Sequence, residues 1–339
     1  MKRLFLLFLP LLVILVGIAG GIWWRSVSTP ADPKKLETQD FLVTRGQSLT
    51  RVAQNLENQE LVKSALAFKF YTQLSGAAKK IQPGEYALSP SQSLDKIMLT
   101  LVSGPKELWV TYPEGLRLEE MAAKTIKTLN LTGDKAQTFW NEFMSVADEK
   151  EGYLFPETYL FPKDVKGSTV ANKLITTFEA KVTQDLRNDA QESDLTFAQL
   201  ITLASIVERE TITNEERPIV AGILFKRLNN GWPLQTDATL QYTTGNTRCG
   251  KDLSKPVLEC NWWVIPKVPD RKVRSSYNTY TNKTLPPAPI ANPSLSSIRA
   301  VIYPEDSDYW FYIHDTDGKI RYAKTAEEHA ANVNKYLRQ

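Results

Sequence analysis

Two carboxylates close the stretch Thr196–Thr211, which reads TFAQLITLASIVERET. On a helix, Glu210 falls on the side of Leu203, Ile206 and Val207, at spacings of seven, four and three residues. A carboxyl held against apolar neighbours resists ionisation. If it is still protonated near neutral pH, it can deliver its proton to a leaving group as a general acid. Glu208 follows Ala204 and Ile201 and falls near the edge of the same stripe, whereas Arg209 follows Ser205 and Thr202 on the polar side. The plainer role for a glutamate near the end of an amphipathic helix is a solvated flank or an ion-pair partner. The pattern alone leaves both roles open.

The element that has to hold these groups is a helix. Thr196 and Gln199 stand three apart, as a capping box requires. Phe197, Leu200, Ile201, Leu203, Ala204, Ile206 and Val207 then recur at helical spacing, with a broad apolar face.

Composition narrows what else the chain can do. Its 339 residues suffice for two or three domains, with 42% hydrophobic and 23% charged residues as in ordinary globular proteins. The net charge is +3, and no Arg/Lys-rich run or RNA-binding signature occurs, so no nucleic-acid partner is expected. His314 and His329 are the two histidines, too few for a His-rich metal site; no metal and no cofactor are expected. Cys249 and Cys260 stand eleven apart. In an oxidising compartment they could close a loop; in a reducing one they would be two thiols.

The first residues bear on the compartment. Lys2 and Arg3 precede an uncharged run from Leu4 to Trp24, 21 residues long and close to the ~20 that cross a bilayer as a helix. A cleavable signal would have a shorter apolar stretch ending at small residues. Here Trp23-Trp24-Arg25 follows, so residues 1–25 are expected to be a retained transmembrane anchor. Positive charge before the span places the N-terminus in the cytoplasm and the rest outside, where a Cys249–Cys260 disulfide is plausible. Residues 26–38 read as a linker. Residues 39–106 read as strand, helix from Ser48, helix Ser64–Leu74, strand after Pro83-Gly84, and helix Ser93–Val102. That order resembles a LysM-like module, a class associated with carbohydrate polymers; a structural adaptor is the alternative.

Residues 107–339 form the remaining domain. A strand spans Leu108–Tyr112 and a helix lies around Leu118–Leu129. The aromatic run from Gly152 to Phe161 is either a core loop or an exposed surface for stacking sugars. Lys173–Arg187 reads as one amphipathic helix. Helices follow at Ile219–Leu228, Ser294–Val301 and Glu327–Leu337, with strands Trp310–Ile313 and Ile320–Ala323 joined by a turn at Asp315–Gly318. The expected fold class is therefore α+β: a transmembrane helix, a small LysM-like subdomain and a larger mixed domain.

Six stretches occur in one order: EGYLFPETY (151–159), LASIVERET (203–211), LFKRLNNGWPLQTD (224–237), SYNTY (276–280), LPPAPIANP (285–293) and the terminal YWFYIHD with EEH. Together they resemble the endolytic murein transglycosylases, the MltG/YceG-like family. The resemblance implies an inner-membrane enzyme whose C-terminal domain faces the cell wall. Such an enzyme cuts nascent peptidoglycan glycan strands between N-acetylmuramic acid and N-acetylglucosamine. It leaves a 1,6-anhydro end and limits strand elongation. It implies Glu210 as the catalytic residue, with Glu208 the second choice. Gln235, Thr236, Asp237, Tyr277 and Asn278 are the candidates for contacts to the glycan, Glu208 being counted with them; Asp237 could equally cap a helix. Peptidoglycan synthases are a candidate class of partner. A lytic transglycosylase needs one carboxyl because the sugar's own C6 hydroxyl attacks. A hydrolytic muramidase would need a second, such as Asp237 or Glu208. A non-catalytic glycan-binding scaffold would need neither. The sequence departs from the family in three places. Ala238 stands where QTDP has proline, Thr284 and Ala288 replace the glycines of GLPPGPI, and the segment 247–274 is long and carries both cysteines with Trp262-Trp263. That insertion could cap the cleft, meet a partner, or be a disulfide-pinned surface loop.

Overall fold

The computed structural model describes residues 2–44, 46–105, 107–250 and 255–337, with side chains described from residue 15 onward. The chain divides into two units, residues 1–109 with 160–163, and residues 110–159 with 164–339.

The first unit opens with helix α1 (Lys2–Ser28). The expected membrane-crossing run falls on this helix, and its side chains up to residue 14 lie outside the described ones. Among the described residues no helix is long and apolar enough to cross a membrane. Strand β1 (Gln39–Val43), helices α2 (Leu49–Asn58) and α3 (Ala65–Leu74), strand β2 (Gly84–Leu88) and helix α4 (Leu94–Ser103) follow in the order read from the sequence. Ser48 and Ser64 cap α2 and α3 by accepting from the backbone N–H of Arg51 and Ala67. β1 and β2 run antiparallel with Phe41 opposite Tyr86, and alternate residues of both enter a core with Val52, Leu56 and Phe68. Strands β3 (Glu107–Thr111) and β4 (Thr158–Pro162) complete a sheet of order β1-β2-β3-β4, and the division between units falls within these two strands.

The second unit is mainly helical. It contains α5 (Leu118–Thr128), α6 (Gly133–Ala147), α7 (Gly167–Lys181), α8 (Gln184–Asp189), α9 (Phe197–Glu210), α10 (Glu216–Asn229), α11 (Asp237–Cys249), α12 (Leu295–Ile302), the hairpin β5 (Phe311–His314) and β6 (Ile320–Ala323), and α13 (Ala326–Tyr336). Its core is built around α9, which packs against α10, α11 and α12. The single helix expected over 173–187 is two helices. The first stops at Val182, and Thr183 caps the second by accepting from Leu186 N–H. Helix α6 has no counterpart in the sequence reading, although Phe139, Trp140 and Phe143 bury one side of it. In the aromatic run, Leu154, Phe155, Tyr159 and Phe161 are buried, so that stretch is core and not an exposed stacking surface.

α9 itself departs from the amphipathic expectation. Every residue from Leu200 to Glu208 is buried, Thr202 and Ser205 included. The hydroxyls are accommodated locally: Thr202 donates to Ala198 O, Ser205 donates to Thr202 O, and Ser205 accepts from Ile290 N–H. The capping box of Thr196 and Gln199 is present as read.

Candidate active site

Glu210 is the last residue of α9, and Thr211 leaves in extended geometry. The carboxyl receives two hydrogen bonds. Ala238 N–H, in the first turn of α11, donates to Oε1 at 3.3 Å, and the Tyr312 hydroxyl of β5 donates to Oε2 at 3.0 Å. Part of the residue stays accessible, yet the surrounding protein dominates its ionisation. Burial raises its pKa above the ordinary carboxylate range, the two donors oppose this, and the charge of Asp237 raises it further. Tyr312 is pushed well above the usual tyrosine value by burial and then by Glu210's charge, so it remains a neutral donor.

The loop between α10 and α11 carries three of the expected residues. Gln235 is exposed with φ 54°, and its N–H donates to Thr279 O. Thr236 is buried and exchanges hydrogen bonds with the Thr279 side chain. Asp237 is exposed at the start of α11 and accepts from the Tyr280 hydroxyl at 2.7 Å. Tyr277 is half-buried, its ring 4.7 Å from that of Tyr242. Asn278 is fully buried; its Nδ2 donates to Arg271 O and Val273 O, and its Oδ1 accepts from Tyr280 N–H. Thr236 and Asn278 thus spend their polar groups inside the protein, Thr236 joining the LQTD and SYNTY segments and Asn278 tying SYNTY to residues 271–273. Gln235, Asp237 and Tyr277 keep accessible surface. Glu208, expected at the edge of the stripe, is more buried than Glu210. It pairs with Arg217 at 2.8 Å and accepts from both N–H and Oγ of Ser294. Its reach is spent holding the start of α12.

Three contributors were not read as site residues from the sequence. Ala238 and Tyr312 touch the carboxyl directly. Arg227 is buried and donates to Trp310 O from Nε and Nη2 and to Leu234 O from Nη1. It thereby ties the loop that carries Gln235 to the strand that carries Tyr312. The strand at β5 was legible, but the partner of its Tyr312 across 102 positions of sequence was not.

The YceG-like family matches residues 41–335. The chain belongs to this family. It is 28% identical over 345 residues to the endolytic murein transglycosylase of Bacillus subtilis, an alignment covering 94% of this chain and 91% of that protein. It is 29% identical over 371 residues to the endolytic murein transglycosylase of Streptococcus pneumoniae strain D39, covering 98% of this chain but 64% of that longer protein. A crystal structure of a YceG-like protein from Listeria monocytogenes superposes with a TM-score of 0.62 at 25% identity, covering 87% of this chain and 98% of that one.

In this YceG-like chain two more of the six motifs meet in a buried knot. Asn292 Oδ1 accepts from Gly152 and Leu154 N–H, and its Nδ2 donates to Leu116 O and Glu151. Glu151 also accepts from Leu118 N–H at the start of α5. Burial, followed by the charge of Glu119, raises the Glu151 carboxyl well above its ordinary pKa. Beside it Arg117 pairs with Glu119, and its guanidinium lies 4.2 Å from both the Tyr242 and Trp262 rings. A cavity of about 390 Å³ adjoins this knot and reaches Tyr277.

Cys249 and Cys260 are disulfide-bonded. Trp262 is buried, and Trp263 lies 3.8 Å from the Arg209 guanidinium while its Nε1–H donates to Glu120. The 247–274 segment is therefore anchored at its disulfide and at both tryptophans. Among the described residues no group of three or more His, Cys, Asp or Glu side chains is placed to hold a metal ion.

Proposed function

We propose that this chain is an endolytic lytic transglycosylase that cuts peptidoglycan glycan strands, with Glu210 as its acid and base. The observation that carries this reading is a carboxyl with a raised pKa, oriented by Ala238 N–H and Tyr312 O–H at the end of a fully packed helix. Protonated Glu210 gives its proton to the glycosidic oxygen as the bond from C1 breaks. The resulting carboxylate takes the proton of the C6 hydroxyl as O6 bonds to C1. The acid is regenerated, no water is consumed, and the new end is a 1,6-anhydro-N-acetylmuramic acid. The names of the Bacillus and Streptococcus relatives support the substrate. Gln235, Asp237 and Tyr277 are the proposed glycan contacts, while Thr236 and Asn278 hold their segments in place. Cleavage within nascent strands would limit their length.

The hydrolytic alternative has one observation in its favour. Asp237 is exposed and close enough for its charge to act on Glu210, as a partner carboxylate would be. Mass spectrometry of products from purified strands separates the two. Transglycosylation gives fragments lighter by one water than hydrolysis does. Glu210→Gln should abolish cleavage with the fold intact. Reducing-end products would select the muramidase, and unimpaired cleavage by Glu210→Gln would remove the catalytic assignment.

The location proposed for this chemistry is outside the cytoplasmic membrane, with α1 as a single-pass anchor. The uncharged run Leu4–Trp24 and the Cys249–Cys260 disulfide support it. The strand–helix–helix–strand portion of the first unit is the proposed LysM-like module, and peptidoglycan synthases remain the proposed class of protein partner. Fractionation of cells expressing the chain, with protease accessibility of the second unit from outside, tests the topology.

A further inference from the structure

Trp232 is 44% exposed. Hydrogen bonds and packing fix the backbone that presents it. It follows α10 in a Schellman turn: Gly231 has φ 63° and donates to Leu228 O, and Trp232 N–H donates to Arg227 O at 2.8 Å. Pro233 follows and restricts the backbone of Trp232. One side of its ring rests on Trp310, 4.8 Å between centroids, with Phe311 at 6.1 Å. Lys226 Nζ lies 5.3 Å from the Trp310 ring and donates to Tyr309 O, which fixes that side of the pair. The same buried Arg227 that spans Leu234 O and Trp310 O locks the loop and the strand together.

We propose that Trp232, backed by Trp310, is a stacking shelf for one sugar ring of the glycan strand, beyond the position cleaved at Glu210. The occupant rests on the lytic-transglycosylase reading; the shelf adds a binding position to it. Continuity with the site supports the assignment. Trp310 leads directly into β5, two residues before Tyr312, and its N–H donates to Ala323 O of β6. Trp232 precedes Gln235 and Asp237, both exposed, by three and five residues. A pyranose presents an apolar C–H face for the indole and a rim of hydroxyl and acetamido groups for neighbouring polar side chains. The shelf is one exposed ring backed by Trp310 and Phe311. A stable protein interface buries about 800 Å² per partner, far more than such a shelf supplies.

The test uses the full-length chain in detergent with Glu210→Gln, so that strands bind without being cut. Peptide-free glycan strands and a disaccharide from the same polymer are titrated by calorimetry. Trp232→Ala in that background should weaken binding of long strands about tenfold, a rigid aromatic anchor commonly being a dominant contact. The disaccharide should not distinguish the two proteins, and Trp232→Phe should recover most of the loss. Matching melting curves exclude unfolding as the cause. Unchanged long-strand affinity in Trp232→Ala, with the Glu210→Gln parent binding well, overturns the shelf and leaves the catalytic reading standing. A parent that binds no glycan at all overturns both.

Discussion

Replacing Tyr312 by phenylalanine removes one hydroxyl from the site and little else. That hydroxyl donates to Glu210 Oε2 at 3.0 Å, at the long end of the O–H···O range. A hydrogen bond to a charged group is worth about 1.5–3 kcal/mol, and the length argues for the lower figure. The bond favours the ionised form, so its loss raises the carboxyl's pKa further. At about 1.4 kcal/mol per pH unit, the shift is about one unit. Cleavage requires the protonated acid in the free enzyme, so kcat/KM falls as pH rises through this pKa. In Tyr312→Phe that alkaline limb should move upward by about one unit. The stability sign is the reverse of the usual carboxylate case. A carboxyl raised in the folded state holds its proton after the unfolded chain has lost it, so stability falls as pH rises between the two values. Tyr312→Phe should deepen that fall. The assay is the pH dependence of product formation, followed by mass spectrometry, with melting curves at each pH. A limb that stays in place or moves down, with the fold intact, would refute the role given to the hydroxyl.

Four further outcomes follow from the geometry. Glu210→Gln removes a carboxyl whose ionisation opposes folding, so at alkaline pH its melting temperature should equal or exceed that of the parent while cleavage is lost. Glu208→Ala strands the largely buried Arg217, which pairs with it at 2.8 Å, and should cost about 3–5 kcal/mol by denaturant unfolding. Its damage is to folding, where that of Glu210→Gln is to chemistry. Changing both Cys249 and Cys260 to serine should cost about 2–3 kcal/mol, read as a lower denaturation midpoint that reductant no longer affects. Gly222→Ala would place a methyl 2.0 Å from Glu305 O, where α10 runs against that backbone, and should destabilise by about 1–3 kcal/mol without altering the pH profile.

The sequence exposed the local parts of this design. The helix starts at Ser48 and Ser64, the capping box of α9, the β5–β6 hairpin and the strand–helix–helix–strand order all depend on neighbours within a few residues, and all are present, whereas Ser93 starts α4 without a side-chain cap bond. What it concealed is set by distant packing. The apolar stripe put Glu210 on its own side and Glu208 at its edge, yet Glu208 is the more buried, because α9 is enclosed from Leu200 to Glu208, its hydroxyl-bearing side included. Ser205 looked polar and therefore outward, and Glu208 stood at the edge of the stripe; both are buried points where the loop before α12 is fastened, through Ile290 N–H and Ser294. The break at Val182 was missed because Thr183 reads equally well as a mid-helix residue and as a cap. Ala238 was noted for the proline it replaces. Its consequence, a backbone N–H free to bond Glu210, becomes visible once α11 is seen to start there.

Enclosure of α9 also governs how this protein should fail. A segment surrounded by its neighbours opens when the whole unit opens, so its amides belong among the last to exchange with deuterated solvent. The reactive carboxyl rides on the end of that segment and not on a mobile tip. Heating should therefore leave turnover competent until cooperative melting begins, and the two losses should coincide on one curve. Adaptation to strands of different shape then has to come from the surrounding loops, leaving the acid where it is.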